Sequence, residues 1–211
     1  HYRKALELNP GYVTAHHWYG LDHLALLGRI DEAMHHMEIA IQLDPLEPII
    51  LEGRAYVALL DRRFEECAQH YQRLTREHPH FPNAWTGLGR AYFCLGRYGE
   101  SIEMLERGRA LSGERPALLG ALSQTHAAMG NMAEARRLLA ALHEMSTRRH
   151  VPATCYAIAH LGLGEPEQAL DFLDRGYEAH EVTLASVKVH PIYDSVRSHP
   201  RFASLLRRMN F

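Results

Sequence analysis

Residues 85–105, WTGLGRAYFCLGRYGESIEML, contain two helical apolar patterns with a short break between them. Before the break, Trp85, Leu88 and Tyr92 recur at spacings of three and four residues, which places them on one face of a helix. The residues after the break repeat this spacing. Gly96 lies in the break, where glycine readily takes the left-handed conformation that ends a helix. The stretch therefore predicts two helices joined by a tight turn.

The same break returns every 34 residues, which is typical of a repeat protein. A small residue follows each break by five positions and a larger one by nine, on the same helical face. We expect the small residues to allow close contact between the two helices of a pair, and the larger ones to fill the space beside it. The breaks are Gly28-Arg29, Arg62-Arg63, Gly96-Arg97, Gly130-Asn131 and Gly164-Glu165, the small residues are Ala33, Cys67, Ser101, Ala135 and Ala169, and the larger residues are Met37, Tyr71, Leu105, Leu139 and Leu173.

Two positions depart from this regularity. Arg62 takes the place that Gly has at the other four breaks, so we expect the turn of the second unit to be the least regular. Pro10 and Pro45 are 35 residues apart, whereas Pro45 and Pro79 are 34 apart. We expect the extra residue to lie in the entry loop of the first unit.

The pattern predicts an all-α protein, a right-handed α-solenoid of about five helix-turn-helix units, because no alternating strand pattern bounded by turn residues occurs. A solenoid needs a cap over its last apolar face, and the C-terminal residues contain an apolar stripe suited to a short capping helix after Pro200. We expect a solenoid over 1–180, with a partial unit at 1–10, units at about 11–45, 46–79, 80–113, 114–147 and 148–181, and a cap at 182–211 whose stripe is Phe202, Leu205, Leu206 and Met209.

The period of 34 residues and the motif of the third unit resemble the tetratricopeptide repeat (TPR) family, the motif being Trp85-x-x-Leu88-Gly89-x-x-Tyr92 followed by Gly96 and Tyr98. Other units keep the motif less fully. His17 has the place of the Trp in the first unit, and His126 and His160 have that of the Tyr in the fourth and fifth. The resemblance covers roughly residues 1–180.

Two segments show a narrower resemblance. Residues 11–34, GYVTAHHWYGLDHLALLGRIDEAM, and residues 187–211, VKVHPIYDSVRSHPRFASLLRRMNF, are similar to the C-terminal TPR regions of bacterial multidomain signalling proteins. In those proteins a serine/threonine kinase, a winged-helix regulator or a cyclase domain lies upstream. The resemblance implies that this chain is part of such a larger protein.

Composition excludes several classes of function. Lys plus Arg is 23 and Asp plus Glu is 25, and 23 minus 25 gives a net charge of −2, which argues against a polycationic nucleic-acid binder. No apolar run is long enough to cross a membrane. The three cysteines include no CxxC pair, so neither a disulfide framework nor a zinc ribbon is expected. We interpret them as small apolar residues in a cytoplasmic protein.

The sequence gives no sign of catalysis, of a cofactor or of a bound metal. It has no nucleophile elbow, P-loop or kinase motif, so we expect a non-enzymatic protein. None of the 16 histidines lies three or four residues from another, so no helix offers the pair of ligands typical of zinc sites. Most of the histidines are interpreted as polar surface and interface residues. An alternative is that they make stability or partner binding sensitive to pH between about 5 and 7.

Binding in a concave groove is the function that the repeat favours. In a solenoid of helix pairs, the first helix of each unit lines the inner curve. Carrying the TPR pattern over by position predicts ten groove residues, among which the aromatic ones are the expected anchors. The acidic residues among them favour a partner segment with basic and apolar side chains, in contrast to the carboxylate clamp of chaperone-binding TPRs. The ten are Trp18, Asp22, Glu52, Tyr56, Asn83, Thr86, Arg90, Phe93, Gln124 and Thr154.

We therefore expect a protein-protein interaction module that binds a peptide or partner protein. Two alternatives remain open. The chain could act as a self-association scaffold that forms a homo-oligomer, with its N-terminal edge stacked on another copy. It could also regulate an attached kinase or transcriptional regulator in cis.

Overall fold

The computed structural model describes residues 1–211, and all its regular elements are helical. None of the helices is both long and apolar enough to cross a bilayer. The twelve α-helices are α1 (Tyr2–Leu8), α2 (Val13–Trp18), α3 (Ile30–Leu43), α4 (Pro48–Leu60), α5 (Phe64–Glu77), α6 (Pro82–Cys94), α7 (Tyr98–Ser112), α8 (Pro116–Ala128), α9 (Met132–Ser146), α10 (Ala153–Gly162), α11 (Pro166–Glu178) and α12 (Pro200–Arg208). A π-helical segment, Tyr19–Ala25, continues α2, and two 3₁₀ helices, Val182–Ser186 and Pro191–Val196, precede α12.

Helices α2 to α11 form five antiparallel pairs stacked in chain order. Each pair packs on the next, and the first helices of successive pairs also contact one another, as α4 does with α6 and α8 with α10. The predicted α-solenoid is thereby confirmed. The first helices, α2, α4, α6, α8 and α10, form what we call the concave wall.

The two predicted columns lie between the helices of each pair. All five residues of the small column are completely buried, and the larger ones are at most 8% exposed. The contact is too close for a larger side chain, because a Cβ added at Gly89 would lie 3.1 Å from the carbonyl oxygen of Ser101. The Ser101 hydroxyl in turn donates to the Gly89 carbonyl oxygen at 2.7 Å. The predicted role of both columns is confirmed.

The five turns between paired helices share one hydrogen-bond pattern. In the third unit, the amide of Gly96 donates to Phe93 and that of Arg97 to Tyr92, which is the Schellman ending of a helix. The second unit has the same two bonds, although Arg62 must take a φ of +61° to make them. The prediction of an irregular second turn is wrong, since Arg62 adopts the left-handed conformation in spite of a cost of roughly 1–2 kcal/mol for a residue with a Cβ.

The extra residue of the first unit lies in its helix and not in its entry loop, so that prediction is also wrong. Helix α2 begins three residues after Pro10, as α4 begins three residues after Pro45, and the entry loops are therefore equal in length. The additional residue is absorbed in the π-helical segment that continues α2. A π turn accommodates one more residue than an α turn without a break in the helix.

This insertion changes which histidine occupies the Trp position of the first unit. Trp85 Nε1 donates to the Pro79 carbonyl oxygen at 2.9 Å, and the equivalent contact joins His16 Nε2 to the Pro10 carbonyl oxygen at 2.8 Å. His16 is therefore the counterpart of Trp85, and the assignment of His17 is wrong. His17 is instead 2% exposed, and neither of its ring nitrogens has a hydrogen-bond partner.

The last residues form the expected cap. Of its apolar stripe, Phe202 and Leu205 are fully buried, while Leu206 and Met209 are half-buried against the same cluster. Helix α12 is also joined to α11 by ion pairs, in which Arg201 contacts three carboxylates. These are Glu167 at 2.7 Å, Asp171 at 2.7 Å and Asp174 at 3.0 Å.

Four of the 16 histidines, His16, His17, His160 and His190, are buried, and the other twelve are at least partly exposed, in line with the surface and interface role expected of most of them. Burial lowers the pKa of His17, His36, His70 and His143, and it lowers the pKa of His190 to about 3. In the unfolded chain these rings return to a pKa near 6.5. The unfolded state therefore binds more protons than the native state below that pH.

We predict that Ala135→Leu lowers the free energy of unfolding by roughly 1–3 kcal/mol, because the added atoms overpack the contact between α8 and α9. Ala135 is completely buried, and its carbonyl oxygen accepts a hydrogen bond from Ser123 at 2.8 Å. The control is Ala140→Leu, an exposed position on the same helix. Denaturant unfolding of both variants measures the difference, and equal stabilities would contradict the assigned register.

We predict that the free energy of unfolding falls as the pH decreases from 7.5 to 5.5. A group whose native pKa is lowered contributes stability that is present above its unfolded pKa and lost below it. A pKa of about 3 for His190, against about 6.5 in the unfolded chain, corresponds to a loss of about 1.4 kcal/mol over this interval. Denaturant unfolding at the two pH values tests the prediction, and identical midpoints would refute it.

The control for this effect is His190→Asn. The Asn side-chain oxygen can accept the bond that His190 Nδ1 accepts from the amide of Ile192, at 3.2 Å, but the residue does not titrate. The free energy of unfolding of this variant is expected to depend less on pH than that of the natural chain. Its value at pH 7.5, compared with the natural chain, measures any loss of stability caused by the substitution itself.

Candidate partner-binding chamber

The cap crosses the inner curve of the solenoid and encloses a chamber of about 590 Å³ against it. Helices α4, α6, α8 and α10 form one side of this chamber, and the segment 182–196 forms the other. The sequence predicted a cap over the last unit and an open groove. The structure differs because the 3₁₀ helices fold back towards the second unit before α12 begins. Residues of the cap that face the chamber are Thr183, Ser186, His190, Ile192 and Tyr193.

Most of the predicted groove residues face this chamber. They are brought together from three different units by the first helices α4, α6 and α10. Asp22 lies beside the chamber, in an adjoining cleft that shares five lining residues with it. The predicted residues in the chamber wall are Glu52, Tyr56, Asn83, Thr86, Arg90 and Thr154.

Three predicted residues lie elsewhere. Phe93 and Gln124 meet His190 and Ile192 of the cap around a small void of about 10 Å³, so the cap already covers them. Trp18 is half-buried in the core of the first unit, where its ring is edge-on to His17 at 4.5 Å. The π-helical insertion accounts for this position, because it shifts α2 by one residue relative to the other first helices.

The acidic side of the chamber consists of Glu52, with Asp22 in the adjoining cleft. Glu52 accepts a hydrogen bond from the Tyr71 hydroxyl at 3.3 Å. Burial raises the pKa of Glu52, and the nearby Arg90 opposes this rise. Partial burial also raises the pKa of Asp22. Both carboxyl groups are therefore less readily ionised than in water.

The basic side contains two arginines from adjacent units. Arg90 faces both the chamber and the adjoining cleft, and its guanidinium makes no hydrogen bond or ion pair. Arg115 contacts Asn83 Oδ1 at 3.4 Å, and its Nε is buried without a partner. The two guanidinium groups have unused donors at or beside the chamber. These donors suit acidic or amide groups, and the expectation of a partner with basic side chains stays a prediction.

The repeat pattern predicts neither Arg115 nor any of the cap residues in the chamber. Arg115 precedes the helix-starting Pro116, a position that the repeat pattern does not assign to the groove. One feature of the sequence does set the cap apart from the repeats, since the segment 182–199 shows neither the repeat period nor a helical stripe. His190 contacts the concave wall through the ring of Tyr56, with the two centroids 5.9 Å apart.

The cysteines are consistent with their interpretation as small apolar residues. Cys67 and Cys155 are buried, and Cys94 is half-buried. Burial raises the pKa of the Cys94 thiol to about 12 and that of Cys155 to about 11, and it raises the pKa of Cys67 as well. All three therefore remain protonated at neutral pH, a state in which a thiol is a poor nucleophile.

Comparison with known proteins agrees with this architecture. Models described as tetratricopeptide repeat match residues 22–80, 61–116, 95–146 and 150–175. Tetratricopeptide repeat protein 33 of Xenopus laevis is 33% identical over 85 residues, which are 40% of this chain and 33% of that protein. The chain thus spans a third of the length of this curated relative.

Two solved structures share the fold. A thermophilic TPR protein from Thermus thermophilus superposes with a TM-score of 0.61 and 19% identity, over 90% of this chain and 99% of that one. One chain in the structure of the APC/C hetero-tetramer Cut9-Hcn1 superposes with a TM-score of 0.70 and 16% identity, over 98% of this chain and 42% of that one. With its five stacked helix pairs and the repeat models matched along most of its length, the chain belongs to the tetratricopeptide repeat family.

Proposed function

We propose that the chain is a non-enzymatic interaction module that binds a peptide or a partner protein through the chamber on its concave side. The observation that carries this proposal is the unpaired guanidinium of Arg90, which faces a chamber of about 590 Å³. Ligand sites in proteins have volumes of roughly 300–1,000 Å³ and a few polar groups that converge on the ligand. Asn83 and Arg115 supply such groups beside Arg90.

The cap limits the shape of the partner. A long helix laid along the concave wall would collide with the segment 182–196, which contacts α4 at Tyr56 and the turn after α4 at Arg62. The partner group that fits is therefore compact, such as a few residues of a loop or an extended segment. An acidic or amide side chain among them pairs with Arg90, while apolar neighbours contact the ring of Tyr56.

We predict that Arg90→Glu weakens partner binding at least about tenfold, because it places a carboxylate where a charge-assisted hydrogen bond would form. The measurement starts from a random peptide library selected on the natural chain. Affinities of the selected peptides for the natural and variant chains are then compared by calorimetry.

The matched control is Arg107→Glu, which makes the same charge change at an exposed position on α7, a second helix outside the concave wall. Peptides selected for the chamber are expected to bind this control and the natural chain equally well. Selected peptides that bind the Arg90 variant with unchanged affinity would contradict the chamber as the binding site.

Self-association is a second candidate function. Helix α1 packs against α2 and leaves apolar side chains uncovered at this edge, where Leu8 is 75% exposed and Tyr12 46% exposed. A second copy that stacked on this edge would bury them. Sedimentation of the natural chain and of Leu8→Glu separates the two candidates, since a monomer in both cases excludes self-association through this edge.

We also propose that the module is part of a larger cytoplasmic protein of bacterial signalling or regulation, and that it can act on an attached kinase or transcriptional regulator in cis. The support is the resemblance of residues 11–34 and 187–211 to such proteins. The coding sequence on either side of these residues tests this proposal directly, since the absence of an effector domain there would reject it.

A further inference from the structure

Arg62 has an unusual backbone for its residue type. It is the left-handed residue in the turn between α4 and α5, with a φ of +61°, and the corresponding residue of every other unit is Gly. Glycine takes this conformation without a steric penalty, whereas arginine does not. An unfavourable backbone that persists indicates that the side chain at this position has a role of its own.

The side chain of Arg62 reaches across the inner curve of the solenoid to the cap. Its Nη2 donates to Asp194 Oδ1 at 2.6 Å, and its Nη1 lies 3.4 Å from the carbonyl oxygen of Val189. The same Nη1 donates to the carbonyl oxygen of Leu60, the last residue of α4, at 3.3 Å, so the guanidinium bridges the end of α4 and the cap. Residues 62 and 194 are 132 positions apart in the chain.

The cap is bound unequally to the two halves of the solenoid. Its buried apolar residues, such as Leu184, Val187 and Tyr193, belong to the cluster around α11 and so join it to the last unit. The cap contacts the second unit at three places. Asp194 pairs with Arg62, and the ring of His190 lies against that of Tyr56. Val189 packs at the edge of the apolar cluster of the first unit. Among these contacts, Arg62 provides the ion pair.

We propose that Arg62 is a tether that holds the cap against the second unit and so determines the size of the chamber. This inference rests on the proposed function of the chamber, whose regulation it describes. With the tether formed, the chamber admits a compact group. With the tether released, the part of the cap next to the second unit, around Val189 and His190, moves away from α4 and an extended partner segment gains access. The buried residues of the cap stay packed against the last unit.

The ion pair between Arg62 and Asp194 is one that a carboxylate of a partner can replace. The Arg62 and Asp194 side chains are 43% and 46% exposed, and an ion pair this exposed contributes little to stability. Asp194 also pairs with Arg197 at 2.7 Å, so its charge stays compensated when Arg62 leaves. A partner that presents a carboxylate to Arg62 thus replaces Asp194 at small cost.

The test is amide hydrogen exchange on the full chain with Arg62→Gly. This variant removes the tether and restores the residue that the turn prefers, so it is expected to fold. We expect amides of the segment 187–197 to exchange roughly three to ten times faster, as follows from the loss of one exposed ion pair and its neighbouring hydrogen bond. Exchange in α6 and α7 serves as an internal reference.

The matched control is Gly96→Arg, which places the same side chain in the turn of the third unit. It adds the unfavourable backbone without removing the tether, so cap exchange is expected to stay unchanged while the turn itself exchanges faster. If cap exchange in Arg62→Gly equals that of the natural chain, the tether is refuted. Faster cap exchange in both variants would also refute it, because general destabilisation would then be the cause.

The tether and the proposed function fail in distinguishable ways. Cap exchange is measured without any ligand, so it reports on the tether alone. Peptides that bind the Arg90→Glu variant as well as the natural chain refute the chamber as the binding site, whatever the exchange data show. If the tether and the binding site in the chamber are both supported, peptides longer than the chamber admits are expected to bind Arg62→Gly more tightly than the natural chain.

Discussion

The close contact between the two helices of each pair is the constraint on which the rest of this structure depends. At Gly89 and Ser101 the backbones are so near that a hydroxyl bridges directly to a carbonyl oxygen. This contact fixes the angle between the helices of a unit. Because the same contact returns every 34 residues, successive units stack with their first helices in contact, and the concave wall follows from this repetition.

The chamber follows from the concave wall together with one element outside the repeat. Residues from four units face the same space because each first helix presents its equivalent positions to the inner curve. The segment 182–196 then closes that space from the other side, so an open groove becomes a site of limited volume. Burial changes its chemistry as well, since it raises the pKa of Glu52, while Arg90 faces the same space without a hydrogen bond or ion pair.

Features that depend on the repeat could be predicted from the sequence, and features that depend on a single residue or segment could not. The buried columns and the cap helix follow from periodicity alone, whereas the position of Trp18 depends on where one inserted residue is accommodated. Spacing could not distinguish a longer loop from a π turn. The path of the cap also involves contacts between residues more than 100 positions apart, such as Arg62 with Asp194, and a local pattern carries no information about them.

The neutral histidines in the interior also affect how heat is exchanged when this protein unfolds. Near pH 6, each such ring that becomes exposed takes up part of a proton from the solution. That proton comes from the buffer, whose own heat of ionisation is added to the heat absorbed by the chain. The enthalpy recorded in a calorimeter therefore differs between a phosphate and an amine buffer at the same acidity.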